Sequence, residues 1–265
     1  MGQIGPGFLN LPYRPEKPRT DGLTHVLDKG LSQAGLQSLI GTAGACIDIV
    51  KLGWGTAYVS DGVRAKVELC RRAGINLCPG GTLLEICDSQ HRIDDYVRWL
   101  QRLGVTHVEV SNGALGMPTE HKRALIRRLA GDFTVLSECG SKNPLADVVS
   151  VDWVAEMAGD LEAGASLLIA EARESGTVGL YRETGEVRAE LVEALVAELP
   201  VERIIFEAPR KDQQAWFIRR LGPAASLGNI ASDEVIALET LRLGLRSDTL
   251  DLLPPVDVPD PDPQP

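Results

Sequence analysis

Several signatures that would place a chain quickly are missing from this one. Its five cysteines, Cys46, Cys70, Cys78, Cys87 and Cys139, are odd in number and none forms a CxxC pair. That argues against a disulfide framework and against a zinc site. The four histidines, His25, His91, His107 and His121, show no HExxH or other ligand spacing. Neither GxGxxG nor GxxxxGK[ST] occurs, so the dinucleotide fingerprint and the phosphate-cradling loop are both absent. Basic residues are in deficit: 27 Lys and Arg face 37 Asp and Glu, a net charge of −10, which excludes a general nucleic-acid surface. No apolar stretch approaches the roughly 20 residues of a membrane-spanning helix. Met1 to Pro18 is rich in Gly and Pro rather than a basic patch followed by an apolar run. The expectation is a cytoplasmic protein without membrane or nucleic-acid partners.

What is present is enough apolar material, 44% of 265 residues, for a full core. α/β barrels of roughly 200–250 residues are common as single domains. The boundaries read as an N-terminal arm over 1–20, one domain over 21–250, and a disordered Pro/Asp-rich tail over 251–265. Within the domain, short apolar runs alternate with longer amphipathic ones. Strands are expected near Thr24–Leu27, Cys46–Leu52, Asn76–Cys78, Thr106–Val110, Thr134–Ser137, Ser166–Ala170, Arg203–Phe206 and Ala225–Leu227. Helices are expected near Val63–Ala73, Asp94–Leu103, Thr119–Leu129, Val154–Glu162, Ala189–Leu199, Gln213–Leu221 and Asp233–Leu243, with Ser60-Asp61 and Ser232-Asp233 as capping signals. Strand followed by helix, repeated, means parallel strands joined by crossover helices. Lys51, Gly80, Glu109 and Glu138 end successive strands at a constant spacing of about 29 residues, a fitting length for one βα unit. About eight units fit a (β/α)₈ TIM-type barrel better than a doubly wound sheet.

Barrel enzymes keep their catalytic groups at the carboxyl ends of the strands. Here Glu109, Glu138, Glu171 and Glu207 end four consecutive strands. Neighbouring strands lie roughly 4.8 Å apart, so their carboxylates converge and raise one another's pKa unless a cation intervenes. An all-oxygen donor set suits Mg²⁺, which takes one or two protein carboxylates and fills its shell with water and substrate. Lys29, Lys51, Lys142 and Arg173 supply the opposite charge and suggest a substrate with several negative charges. A single acid at a strand end is as readily a structural ion-pair partner or a solvated rim residue. Four acids and four bases at equivalent positions of a repeat point to a site. His107 shares strand parity with Glu109, with a hydrogen-bonded core role expected. His91 and His121 are expected on the surface, and Trp54, between Gly53 and Gly55, is expected to pack beneath the site. Glu85 and Asp88 read either as support for the site or as helix N-terminal acids favoured by the dipole.

The strings Val-Leu-Asp-Lys-Gly (26–30), Val-Lys-Leu-Gly-Trp-Gly-Thr (50–56), Pro-Gly-Gly-Thr-Leu (79–83), Glu-Ala-Arg-Glu-Ser-Gly (171–176) and Phe-Glu-Ala-Pro (206–209) occur in that order. With Asp-Glu-Val-Ile-Ala-Leu-Glu-Thr-Leu-Arg (233–242) after them, they resemble the phosphosulfolactate synthase family from about Thr24 to Asp248. The resemblance implies a (β/α)₈ enzyme that adds sulfite to C3 of phosphoenolpyruvate, with Mg²⁺ as cofactor, to give (2R)-phospho-3-sulfolactate. It also implies a homo-oligomer and, in methanogens, a place at the start of coenzyme M biosynthesis. Sulfite attacks the methylene carbon, electron density moves into the carboxylate, and C2 is then protonated. Lys142 matches the second lysine of the family's EVGKK-like string and is the expected general acid, with Lys51 and Glu171 as further catalytic groups. Lys29, Arg173, Gly80, Gly81, Ser111 and Asn229 are expected to bind substrate, and Glu109, Glu138, Glu171 and Glu207 to bind metal. The chain departs from the family at Ser141, where the first lysine stands, at Asn112, where Asp is usual, and at Gly228, where Ala is usual. Those departures leave open a relative that adds another nucleophile to phosphoenolpyruvate or a similar enol phosphate. A non-catalytic relative is a third reading, since plant heat-stress proteins resemble this family too.

Overall fold

The computed structural model describes residues 6–140 and 150–255. Within them the expected alternation is present. The order is β1 (Thr24–Asp28), α1 (Gln33–Ala43), β2 (Ile49–Leu52), α2 (Thr56–Val59), α3 (Val63–Arg72), β3 (Asn76–Pro79), α4 (Gly81–Ser89), α5 (Ile93–Leu103) and β4 (His107–Val110). It continues with α6 (Thr119–Leu129), β5 (Thr134–Cys139), α7 (Ser150–Glu162), β6 (Leu167–Ala170), α8 (Ala189–Glu198), β7 (Ile204–Glu207), α9 (Lys211–Leu221), β8 (Leu227–Ala231) and α10 (Val235–Arg242). The strands pair in parallel in the order β3-β2-β1-β8-β7-β6-β5-β4. β3 and β4 also pack side by side, so the sheet is a nearly closed (β/α)₈ barrel with its seam between them. No described helix is long and apolar enough to cross a membrane.

Side-chain alternation along each strand divides the core into two shells. Ile49, Cys78, Leu136, Ile169 and Ile205 plug the barrel interior together with Leu23. Their outward neighbours Val50, Leu77, Val135, Leu168 and Ile204 pack against Leu36, Val67, Leu100, Ile126, Leu191 and Phe217 of the surrounding helices. Each such buried side chain contributes about 1.5–3 kcal/mol of transfer free energy. The register is staggered: Lys51 pairs with Cys78 rather than Gly80, Glu109 with Leu136 rather than Glu138, and Glu138 with Ile169 rather than Glu171. A two-residue climb from strand to strand is the mark of strands tilted to the barrel axis, and it brings the strand-end groups to a common level.

Three expectations need correction. β8 runs over Leu227–Ala231, not Ala225–Leu227, because the backbone continues its pairing through Gly228 and Asn229, which interrupt the apolar run. α1, α4 and the one-turn α2 lie where the sequence pattern predicts no helix. The first begins from a Ser32 cap and carries no charge along its length, and the second starts within the Gly80-Gly81 turn. The pairs Ser60-Asp61 and Ser232-Asp233 do not cap their helices: α3 starts from Gly62 at φ 79° and α10 from Glu234, with no capping side chain at either. At the amino ends of the strands the arm is tied down by Arg14 to Glu239, Lys17 to the carbonyls of Gly44 and Ile47, and Arg19 to Asp48. Of the tail expected over 251–265, Asp251 and Leu252 close a 3-10 helix over Ser247–Leu252 and 256–265 lie outside the described residues.

Candidate active site

At the carboxyl ends of the strands lies a cavity of about 450 Å³, within the usual range for a small-molecule site. Lys51 sits at its floor. Its Nζ is 3.0 Å from Glu207 Oε1, 3.1 Å from Glu109 Oε2 and 3.7 Å from Glu138 Oε2. Burial alone would lower its pKa, but Glu109, Glu207 and Glu138 outweigh it and hold the ammonium well above its ordinary value. Lys51 is therefore charged, and its charge goes first to these carboxylates.

Backbone amides fix the acids from behind. Gly81 N donates to Glu109 Oε1 at 2.7 Å and Ala172 N to Glu207 Oε2 at 2.9 Å. Gly81 must lack a side chain, since a Cβ there would lie 2.5 Å from Ser111 Oγ. Gly140, at φ 143°, has the same constraint, because a Cβ would meet Glu171 Cβ at 2.8 Å. Glu109, Glu138, Glu171 and Glu207 are all buried around this cavity. Burial, opposed by Lys51 and reinforced by Glu138, pushes Glu109 up to about 7, and Glu207 is raised by burial against the pull of Lys51. Such a set of hard oxygen donors fits Mg²⁺ bound through one or two carboxylates. Among the described residues no three acidic, His or Cys side chains form a ready-made metal cage.

Of the residues expected from the sequence, Lys51, Glu109, Glu138, Glu171, Glu207, Gly80, Gly81, Arg173 and Asn229 all line the cavity. Lys29 and Ser111 do not. Lys29 stands on the rim, 53% exposed, and pairs at 2.9 Å with Glu174, which is 48% exposed. Ser111 is buried behind Gly81, and its hydroxyl donates to Glu85. Lys142 and Ser141 lie outside the described residues. Trp54 overturns its expected place: it is 45% exposed at the mouth of the cavity rather than packed beneath it, because φ of 49° turns the chain outward there. His107 takes the structural role, with its Nδ1 2.8 Å from Thr106 Oγ1 and its pKa pushed down to about 4 by burial. His91 and His121 are on the surface, the latter against Asp88.

Three supporting residues escaped the sequence reading or were left open by it. Glu85 of α4 is buried and accepts from Ala114 N at 3.0 Å and Leu115 N at 2.7 Å, which fastens the loop after β4 to the helix before it. Lys122 of α6 donates to the Glu138 carbonyl at 2.7 Å and pairs with Glu156 and Asp160, which anchors the end of β5. His25 of β1 lies in the barrel interior with neither ring nitrogen hydrogen-bonded among the described residues. Burial, then the nearby Lys51 charge, hold it neutral against the pull of Glu138. A helix-borne Glu four residues after a glycine start was a visible signal for Glu85. Nothing in local sequence marks the other two.

Fold and site together define a (β/α)₈ barrel whose strand ends hold a small cavity in which buried carboxylates gather around Lys51. The sequence pattern of the family described as "(2R)-phospho-3-sulfolactate synthase (ComA)" matches residues 12–248, and the chain belongs to that family. It is 42% identical to the phosphosulfolactate synthase of Methanothermobacter thermautotrophicus over 245 residues, covering 90% of this chain and 95% of that one. It is 40% identical to the phosphosulfolactate synthase of Bacillus subtilis over 244 residues, covering 91% and 97%. Among solved structures, orotidine 5'-phosphate decarboxylase from Pyrococcus horikoshii is similar with a TM-score of 0.55 at 12% identity, over 82% of this chain and 98% of that chain. That likeness concerns the fold alone.

Proposed function

We propose that the protein adds sulfite to C3 of phosphoenolpyruvate in the presence of Mg²⁺ and forms (2R)-phospho-3-sulfolactate. The observation that carries this reading is the strand-end cluster of Lys51 with Glu109, Glu138 and Glu207, joined by Glu171 and Arg173 around one cavity, in a member of this family. In the reaction the sulfur lone pair forms the C–S bond at C3. The C2=C3 π pair moves to C2 and into the carboxylate, C2 takes one proton, and no group leaves. Mg²⁺ held by carboxylates of the Glu109, Glu138, Glu171 and Glu207 set would supply Lewis-acid stabilisation of the developing negative charge.

The chain's own residues do the rest. Lys51 holds three carboxylates in place, and the buried oxygens of Glu109, Glu138, Glu171 and Glu207 are the hard donors that would hold a metal ion. Arg173 offsets the repulsion between two anionic reactants, and the side-chain NH₂ of Asn229, on the same cavity wall, donates to a polar group of the substrate. Lys142 is the proton donor to C2, on its match to the family string. The departure at Asn112 leaves the cavity wall untouched, because its amide turns to Glu156 at 3.3 Å, which favours sulfite over another nucleophile. Incubation with phosphoenolpyruvate, Mg²⁺ and sulfite, followed by phosphorus NMR, tests the proposal. A sulfonated product that requires all three, and disappears in a folded Lys142→Ala variant, is expected. Turnover with a different nucleophile and none with sulfite would overturn it.

A further inference from the structure

The cavity wall is not uniform. Besides the charged Lys51 and Glu109, the loops and ends of β1, β2 and β4 contribute an uncharged stretch of wall, the neutral side formed by Leu27, Gly53, Trp54 and Ala114, whereas the β5–β8 side presents Glu138, Glu171, Arg173, Glu174, Glu207 and Asn229. Trp54 stands out on the neutral side for a second reason. The described non-glycine residues with positive φ are Trp54, His91, Arg173 and Asn229, and all but His91 line the cavity. A bulky aromatic residue in the left-handed region is a conformational outlier that persists only where the surroundings over-determine it. They do so here: Gly53 N donates to the Asp28 carbonyl at 2.9 Å, Thr56 N to the Gly53 carbonyl at 3.0 Å, and a Cβ on Gly80 would stand 3.0 Å from Trp54 N. The indole belongs to neither core shell. Core packing therefore does not explain why a tryptophan occupies a position that glycine would fill without strain.

We propose that Trp54, flanked by Leu27 and Ala114, is the specificity-determining wall that receives the methylene end of the substrate and fixes which way round it binds. The inference rests on the enol-phosphate reading above. Phosphoenolpyruvate carries anionic groups on C1 and on the C2 oxygen, and its one apolar group is the C3 methylene. An indole face, negative at its centre, attracts C–H groups and repels phosphate and carboxylate. Those anionic groups turn to Arg173 and Asn229 across the cavity, and C3, the carbon attacked, is held against the neutral side. A flat wall at that point also limits what C3 can carry.

Calorimetric titration with Mg²⁺ and without sulfite tests this, using phosphoenolpyruvate and its 3-methyl homologue against wild type, Trp54→Phe and Trp54→Ala. Wild type and Trp54→Phe are expected to prefer phosphoenolpyruvate by about 10-fold or more, the range one methyl group commands in a shaped pocket. Trp54→Ala is expected to bind phosphoenolpyruvate about 10-fold more weakly and to lose the preference, with an unchanged melting temperature. If Trp54→Ala keeps the wild-type preference, or weakens both compounds equally while its melting temperature falls, the wall is structural and the inference fails alone. If wild type binds neither compound, the enol-phosphate reading fails and this inference with it.

Discussion

The two ends of the barrel treat buried charge in opposite ways. At the amino ends of the strands the cations are fixed against other segments of the chain: Arg14 meets Glu239, Arg19 meets Asp48, and Arg242 donates to the carbonyls of Pro223, Ala225 and Leu23. At the carboxyl ends Lys51 answers three glutamates at once and a fourth lines the same cavity. Cations held by carboxylates and backbone carbonyls tie elements together and are a matter of stability. Carboxylates crowded and buried around an open cavity have raised pKa values and suit a ligand, which is a matter of function. The same residue types thus do different work, set by what surrounds them.

Three experiments would sharpen or break that contrast. Lys51→Met leaves three converging carboxylates without their cation, and product formation should fall about 10³-fold or more, the scale seen when a preorganised charged or polar group is removed. Arg242→Met should act at the other end. Losing the donors to three buried carbonyls is expected to destabilise the fold by about 2–4 kcal/mol in urea titrations, while the folded fraction keeps its kcat within about twofold. The contrast collapses if the first variant stays active or the second loses turnover while folded. The smallest effect concerns pH. Burial pushes Glu109 up to about 7 from 4.5, so between those values the folded protein holds a proton that the unfolded chain has released. The resulting stability is present below pH 4.5 and lost as pH rises through 7, on the order of 1–3 kcal/mol in the ligand-free protein. Glu109→Gln should flatten that part of the stability profile; an unchanged slope would show that Glu109 is not held protonated.

The barrel was readable because its signals are local and repeated. Val50, Val108, Val135 and Leu168 alternate with residues that face inward, and a constant interval between strand ends makes a carboxylate on each of four neighbours visible without any structure. What escaped depends on contacts between distant segments. Lys51 reads as a free cation until the stagger carries Glu109, Glu138 and Glu207 to its height. Lys29 and Ser111 have the right residue type and the right strand end, yet the loop after β6 draws one to Glu174 and α4 hides the other. Trp54 was misplaced because an aromatic residue suggests a core, and only its backbone angle shows otherwise. β8 was set too early because Gly228 and Asn229 have little strand propensity, and pairing with β1 and β7 overrides it.

The seam between β3 and β4 has a consequence for mutational tolerance. Elsewhere neighbouring strands are joined by backbone ladders, which are indifferent to side-chain identity. At the seam, the Gly81 amide reaches across to the carboxylate of Glu109, itself a wall of the cavity. That junction depends on two particular residues, one with no side chain and one with an acid. Substitution can wander freely along most of the barrel, but here a change that retunes the chemistry also loosens the closure, so the two properties must drift together.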